Sequence, residues 1–152
     1  MNSSLDAAAL AKFAGLDSLA SQTAVCTHAH TYRNLLGFLP HRVESRLNFT
    51  GGLDSQMLNL QERMRNHAMT TPHIDAKTIQ LMLFGMLLMD GNDAAETHAI
   101  ASRRAGAGWA ELQAVINLCF LFRGLPAANR GADILVHVAG RESRAAGADG
   151  AA

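Results

Sequence analysis

The chain has 152 residues, of which 49% are hydrophobic, 17% charged and 5% aromatic, and its thirteen basic and thirteen acidic side chains cancel. This length fits one domain able to bury roughly 70% of its unfolded surface. Balanced charge removes any global pull toward nucleic acid or anionic lipid, so neither is expected as a partner.

With so few aromatics, the core falls to Ala, Leu, Met, Ile and Val, most of which lose little rotamer freedom in a helix. The N-terminus carries no basic stretch followed by an apolar one, so no secretory signal is read there. "SSLDAAALAKFAGLDSLASQTAVC" predicts two helical pieces broken near Gly15–Leu16, with Asp17 able to cap the second. "THAHTYRNLLGFLPHRVESRLNFTGG" predicts a helical segment up to Pro40 and a further one ending at Gly51–Gly52. Its His28 and His30 diverge by about 200° on a helix, which separates them as ligands. Arg42 and Arg46, one helical turn apart, would suit a dicarboxylate as a forked pair of guanidiniums. The competing reading is a solvated face shared with Glu44.

Asp54 or Ser55 can cap the next helix, whose apolar positions Met57, Leu60 and Met64 follow the helical repeat and which stops before "TTPH". Asp75 opens an apolar helix ending near Met89. It is hydrophobic on almost every side, which predicts a central position, with Met82, Met86 and Met89 as filler. Its greasiest run, Ile79 to Met89, falls far short of the ~20 residues that span a bilayer, so no membrane partner is expected.

"DGND" predicts a turn, and Asp93 with Glu96 has the spacing of a capping box. The helix that follows runs to about Ala105 and ends at Gly106 and Gly108. Ala94, His98, Ala101 and Ala105 share one of its faces. Small residues allow neighbouring helices to come close, so the His98 ring is expected in a tight interhelical space that disfavours the imidazolium. A histidine there can be a core strut held by one hydrogen bond, or a group kept for chemistry. Arg103 and Arg104 complement the helix dipole.

Leu112, Val115, Ile116, Cys119 and Phe120 then form a full helical stripe. Arg123 follows it, just before the Gly–Leu–Pro turn, and is a candidate for binding a carboxylate. "RGLPAANRGADILVHVAG" restarts a helix with Pro126 in its first turn. The tail "RESRAAGADGAA" lacks apolar bulk and is expected to be disordered. Strand-like alternation is missing throughout, so the fold class is all-α. Cys26 and Cys119 read as reduced thiols of a cytoplasmic protein. No H-x-x-x-H or E-x-x-H pair supplies the convergent ligands that a metal requires, so no metal is expected.

The order of these segments resembles a known family. From "LDSQMLNLQERMRNHAM" through "IDAKTIQLMLFGMLLMDGNDAAETHAIASRRAGAGWAELQAVINLCFLFRGLPAANRGADIL" the chain is similar to the carboxymuconolactone decarboxylase family, relatives of the alkylhydroperoxidase D proteins. An apolar helix begins "DAKT", and an alanine-rich helix carries His98, small residues and "AGAG". "WAELQAVI" stands for the usual "T-x-E-E-I", and "GLPAANRGADIL" for "G-x-P-A-A". The likeness covers Leu53 to about Val136. It divides the chain into an N-terminal helical extension (1–52), a family-like helical bundle (53–140) and a tail (141–152).

What the resemblance implies depends on the branch. The peroxidase branch places cysteines seven and four residues before the histidine, where this chain has Gly91 and Ala94. Thiol chemistry needs a thiolate, so a peroxidase is disfavoured. The glutamate of that branch falls near the apolar Ile79, which removes its proton relay. The decarboxylase branch lacks the cysteines and keeps the histidine. It implies a cofactor-free decarboxylase, or a related lyase or isomerase, acting on a small acidic lactone or ring-cleavage metabolite, with His98 as general acid or base. It also implies a homo-oligomer, a trimer or hexamer. Where the family often reads "Y-x-G-x-P", this chain has Phe122-Arg123-Gly124-Leu125-Pro126, which loses a phenolic donor and implies a different substrate. The alternative is a non-catalytic oligomeric member of the fold, binding a ligand or partner, with His98 purely structural.

Overall fold

A computed structural model of the chain describes residues 19–149. The expected break near Gly15–Leu16 and the Asp17 cap lie outside the described residues. Those described fold as α1 (Leu19–Leu36), α2 (His41–Leu53), α3 (Ser55–Met69), α4 (Ala76–Asp90), α5 (Ala94–Arg104), α6 (Trp109–Arg123) and α7 (Leu125–Asp149), with no strand among them. The all-α expectation is met. None of these helices is long and apolar enough to cross a membrane.

The chain divides into two compact units, Met1–Thr71 and Pro72–Ala152. The division at 52–53 drawn from sequence follows the extent of the family resemblance, whereas this one follows contacts between helices. Gly51 sits inside α2, where an added Cβ would lie 2.7 Å from Val25 and 2.8 Å from Leu58. It therefore marks a close helix crossing as well as the last turn of α2, which ends at Leu53. α3 then belongs with α1 and α2, packing on both. Ala29, Tyr32, Leu36, Leu47 and Leu58 form the buried interior of this first unit. Asp54 caps α3 as expected, Oδ1 accepting from the Met57 N–H at 2.8 Å.

In the second unit α4 touches α5, α6 and α7, the central position its composition predicts. Asp75 caps it, Oδ1 accepting from the Thr78 N–H at 3.0 Å and Oδ2 from the Thr78 hydroxyl at 2.6 Å. Gly91, at φ 71°, ends it in the left-handed conformation. The core joins Phe84 and Leu88 of α4 to Ala95 and Ala99 of α5, Leu112, Ile116 and Cys119 of α6, and Ile134 and Val138 of α7.

Two further expectations are corrected. The Asp93–Glu96 capping box does not form: Asn92 Oδ1 caps the Ala94 N–H at 2.9 Å, while Asp93 pairs with Arg130 of α7 at 2.9 Å. A capping contact of that kind occurs one helix later, where Glu111 Oε2 accepts from the Gly108 N–H at 2.8 Å. The tail expected to be disordered instead continues α7 to Asp149. Arg103 supplies a physical reason, since it grips Glu142 through both guanidinium edges at 2.9 and 3.0 Å and holds the start of that segment on α5.

Gly131 of α7 lies against Ile116 of α6, and a Cβ there would come within 2.6 to 3.1 Å of three Ile116 carbons. Gly131→Ala should therefore destabilise the second unit by about 1–3 kcal/mol of overpacking, despite the better helix propensity of alanine. Denaturant melts should show Ile116→Val restoring part of the loss in the double variant. A Gly131→Ala protein as stable as the parent would refute the close crossing.

Candidate functional site

His98 stands on α5, but not on its innermost face. Ala95, Ala99 and Ser102, spaced at i, i+4 and i+7, are fully buried together with Ala101, whereas Ala94, His98 and Ala105 are half-buried. The face read from sequence was thus rotated toward solvent. The true core line is the one that meets α4 through the smallest side chains. His98 flanks it, with one ring edge inward.

That inward edge meets Gln80 of α4. His98 Nδ1 and Gln80 Oε1 are 2.8 Å apart, and Gln80 is only 3% exposed. A buried amide oxygen accepts only, so Nδ1 carries the proton and Nε2 is the basic nitrogen of the neutral ring. The Ser102 hydroxyl donates to the His98 carbonyl at 2.8 Å, bracing the backbone beneath the ring. Sequence reasoning missed Gln80. The family glutamate was placed near Ile79, and the polar side chain facing the histidine is one residue further on. The available signal was a lone amide inside "IQLMLFGMLLM". An amide orients an imidazole without moving a proton itself.

The arginines proposed as carboxylate ligands fall in both units. Arg123 is exposed at the C-terminus of α6, in the unit that holds His98. Arg42 and Arg46 lie on α2 of the first unit, and they do not act as one fork. Arg42 is exposed, while Arg46 turns to the fully buried Glu62 of α3 and contacts its Oε1. Arg46 also donates to Tyr32 Oη at 3.1 Å and to Gln61 Oε1 at 2.8 Å. The Tyr32 hydroxyl donates to Glu62 Oε1 at 3.0 Å, and Arg65 stacks 4.2 Å over the Tyr32 ring. Burial pushes the Tyr32 phenol above its ordinary value of 10.0. This network holds the three helices of the first unit together, since Glu62 is fully buried and would be left uncompensated without the arginines that face it. Arg46 is thus engaged within this network rather than paired with Arg42.

The remaining charges join helix ends. Besides Glu142, Arg103 donates to the Ala107 carbonyl at 2.6 Å and lies 4.1 Å over the Trp109 ring. Its hydrogen bond to Glu142 raises its pKa further. Lys77 of α4 reaches Glu111 of α6 at 2.8 Å. His28 and His30 bond separately, to Asn59 Oδ1 at 2.8 Å and to Asn34 Nδ2 at 3.0 Å. Among the described residues no group of three or more His, Cys, Asp and Glu could hold a metal ion.

Comparison with protein-family models, with curated proteins and with solved structures finds no match for this chain.

The Lys77–Glu111 contact carries a pH signature. The Lys77 hydrogen bond holds the Glu111 carboxyl below its ordinary 4.5, and the same bond holds Lys77 above its ordinary 10.5. A depressed carboxyl contributes stability that is present above its unfolded pKa and lost as pH falls through the lower folded value. The raised ammonium contributes below 10.5 and loses its share as pH rises through the folded value. Acidification from pH 6 to pH 3 should therefore lower the melting temperature of the parent more than that of Glu111→Gln, with the difference shrinking in high salt. Equal acid sensitivity in the two proteins would exclude the contact as a contributor.

Proposed function

We propose that this chain is a cofactor-independent acid–base enzyme, a decarboxylase or a related lyase or isomerase, that acts on a small acidic metabolite of the lactone or ring-cleavage type. His98 moves the proton. The observation that supports this reading is the bond from His98 Nδ1 to the buried Gln80 amide. It fixes the ring plane and tautomer from beneath and makes Nε2 the working nitrogen. In a decarboxylation the electrons of the broken carbon–carbon bond pass into the adjoining unsaturated group as carbon dioxide leaves. The resulting carbanion then takes a proton from protonated Nε2. Isomerisation uses the same nitrogen twice, first to remove a proton and then to return it. With Arg46 taken up by Glu62, Arg123, in the same unit as His98, is the candidate for the substrate carboxylate.

His98→Gln tests this. It should keep the melting temperature within a few degrees and the parent assembly state, yet lose about 10²-fold or more in turnover on an acidic lactone. The parent should show an imidazole limb in its pH–rate profile that the variant lacks. If His98→Gln instead melts far lower and activity falls only with the folded fraction, the residue is a strut.

A second reading, a non-catalytic oligomeric helical protein, rests on a different observation. Leu118, Leu121, Phe122 and Leu125 are 61, 70, 78 and 66% exposed, and contiguous apolar surface of this kind is unusual on a monomer. We expect a homo-oligomer, a trimer or hexamer, in either reading. Light scattering should give a multiple of the 16.2 kDa chain, and Phe122→Glu should shift it toward the monomer. A monomer at micromolar concentration would end the oligomer proposal.

A further inference from the structure

In the first unit α1 and α2 line a half-open cavity of about 300 Å³, at the lower end of the range for small-ligand pockets. One wall is the α1 face Val25, Ala29 and Arg33, at i, i+4 and i+8. The other is Glu44 and Leu47 of α2, and Leu39 of the connecting segment completes it. Cys26, His30 and Asn48 add polar groups, so the lining combines an aliphatic patch with polar side chains, one guanidinium and one carboxylate.

Those two charges are the informative feature. Arg33 is exposed in the last turn of α1, and Glu44 is half-buried in the first turn of α2. Each sits at the helix end that suits its charge, which accounts for one charge at each place. It does not account for the two sharing a cavity without meeting. Among the described residues neither side chain forms an ion pair or a hydrogen bond, whereas other opposite charges in the chain do pair. A guanidinium and a carboxylate thus line one cavity with neither neutralised by a partner.

We infer that this cavity binds a small zwitterion with an aliphatic body, of the α-amino acid class. The ligand carboxylate pairs with Arg33, its ammonium with Glu44, and its side chain packs on Val25, Ala29, Leu39 and Leu47. Arg33 suits the first role because its planar fork matches a carboxylate. A ligand with a single charge leaves one of the two protein charges unmatched, so the cavity selects for both charges at once. The site lies wholly in the first unit and stands or falls apart from the proposal for His98.

The test is calorimetric titration of the full chain with L-leucine and two compounds that share its branched chain, 4-methylpentanoate (anion only) and 3-methylbutylamine (cation only). Leucine should bind at least 10-fold more tightly than either. Arg33→Gln should weaken leucine and 4-methylpentanoate about 10-fold or more and leave the amine unaffected. Glu44→Gln should weaken leucine and the amine and spare the acid. Neither residue has a side-chain partner to lose, so both variants should keep the parent melting curve. The comparison of three compounds on the parent needs no variant at all. No binding of leucine at millimolar concentration, equal binding of leucine and the single-charge compounds, or leucine binding indifferent to both substitutions would overturn the inference.

Discussion

Close helix crossings through residues with little or no side chain are the constraint on which both units depend. With aromatics at 5%, the chain cannot fill wide interhelical gaps, so native packing density requires the backbones to approach. Gly51 admits Val25 and Leu58, Gly131 admits Ile116, and a Cβ on Gly85 would lie 3.0 Å from Val115. At the last of these crossings the Cys119 thiol donates to the Gly85 carbonyl at 3.6 Å, and burial pushes that thiol above its ordinary range. A thiol so placed is packing material rather than a nucleophile. The crossings also account for the place of His98. The buried line on α5 consists of Ala95, Ala99 and Ser102, and the His98 ring lies beside it.

Most charges near these crossings serve the frame. Lys77 with Glu111, Arg130 with Asp93, and Arg103 with Glu142 each join two helices of the second unit. Exposed pairs of this sort contribute roughly 0–1 kcal/mol each, so their effect is to fix which helix ends meet rather than to stabilise the fold strongly. Glu62 is different in kind. Wholly buried and held by Arg46, Arg65 and Tyr32, it cannot lose a partner cheaply. An arginine near a supposed site is therefore weak grounds for a ligand until its own partner is known, as Arg46 demonstrates.

What the sequence disclosed follows the same physics. Helix existence, the Asp54 and Asp75 caps and the turn at "DGND" were legible because each depends on a few consecutive residues. The orientation of faces was not. Met57, Leu60 and Met64 repeat as a buried stripe should, yet they are 45, 50 and 71% exposed, and α3 buries Leu58 and Glu62 instead. Period alone does not say which way a stripe faces when a charged residue such as Glu62 can be buried against partners on two other helices. The same ambiguity turned the α5 face by about one residue and hid Gln80 behind its apolar neighbour Ile79. Partners thirty or more residues away, Glu142 for Arg103 above all, decide whether a polar tail is ordered, and no local pattern records them.

The pairing of His98 with Gln80 changes what an imidazole among alanines means. Leucine at position 98 would add apolar contact but leave the Gln80 oxygen, in a residue only 3% exposed, without its acceptor role, at a cost of about 1–3 kcal/mol. Position 98 is therefore tied to a polar residue by stability alone, and a histidine there is no proof of chemistry. The bond to Gln80 uses Nδ1. Glutamine at 98 can present its amide N–H to the Gln80 oxygen and keep the frame, but it has nothing equivalent to the second ring nitrogen, Nε2. The frame requires a donor at this place. Only proton transfer requires an imidazole, so the two roles separate at the second ring nitrogen.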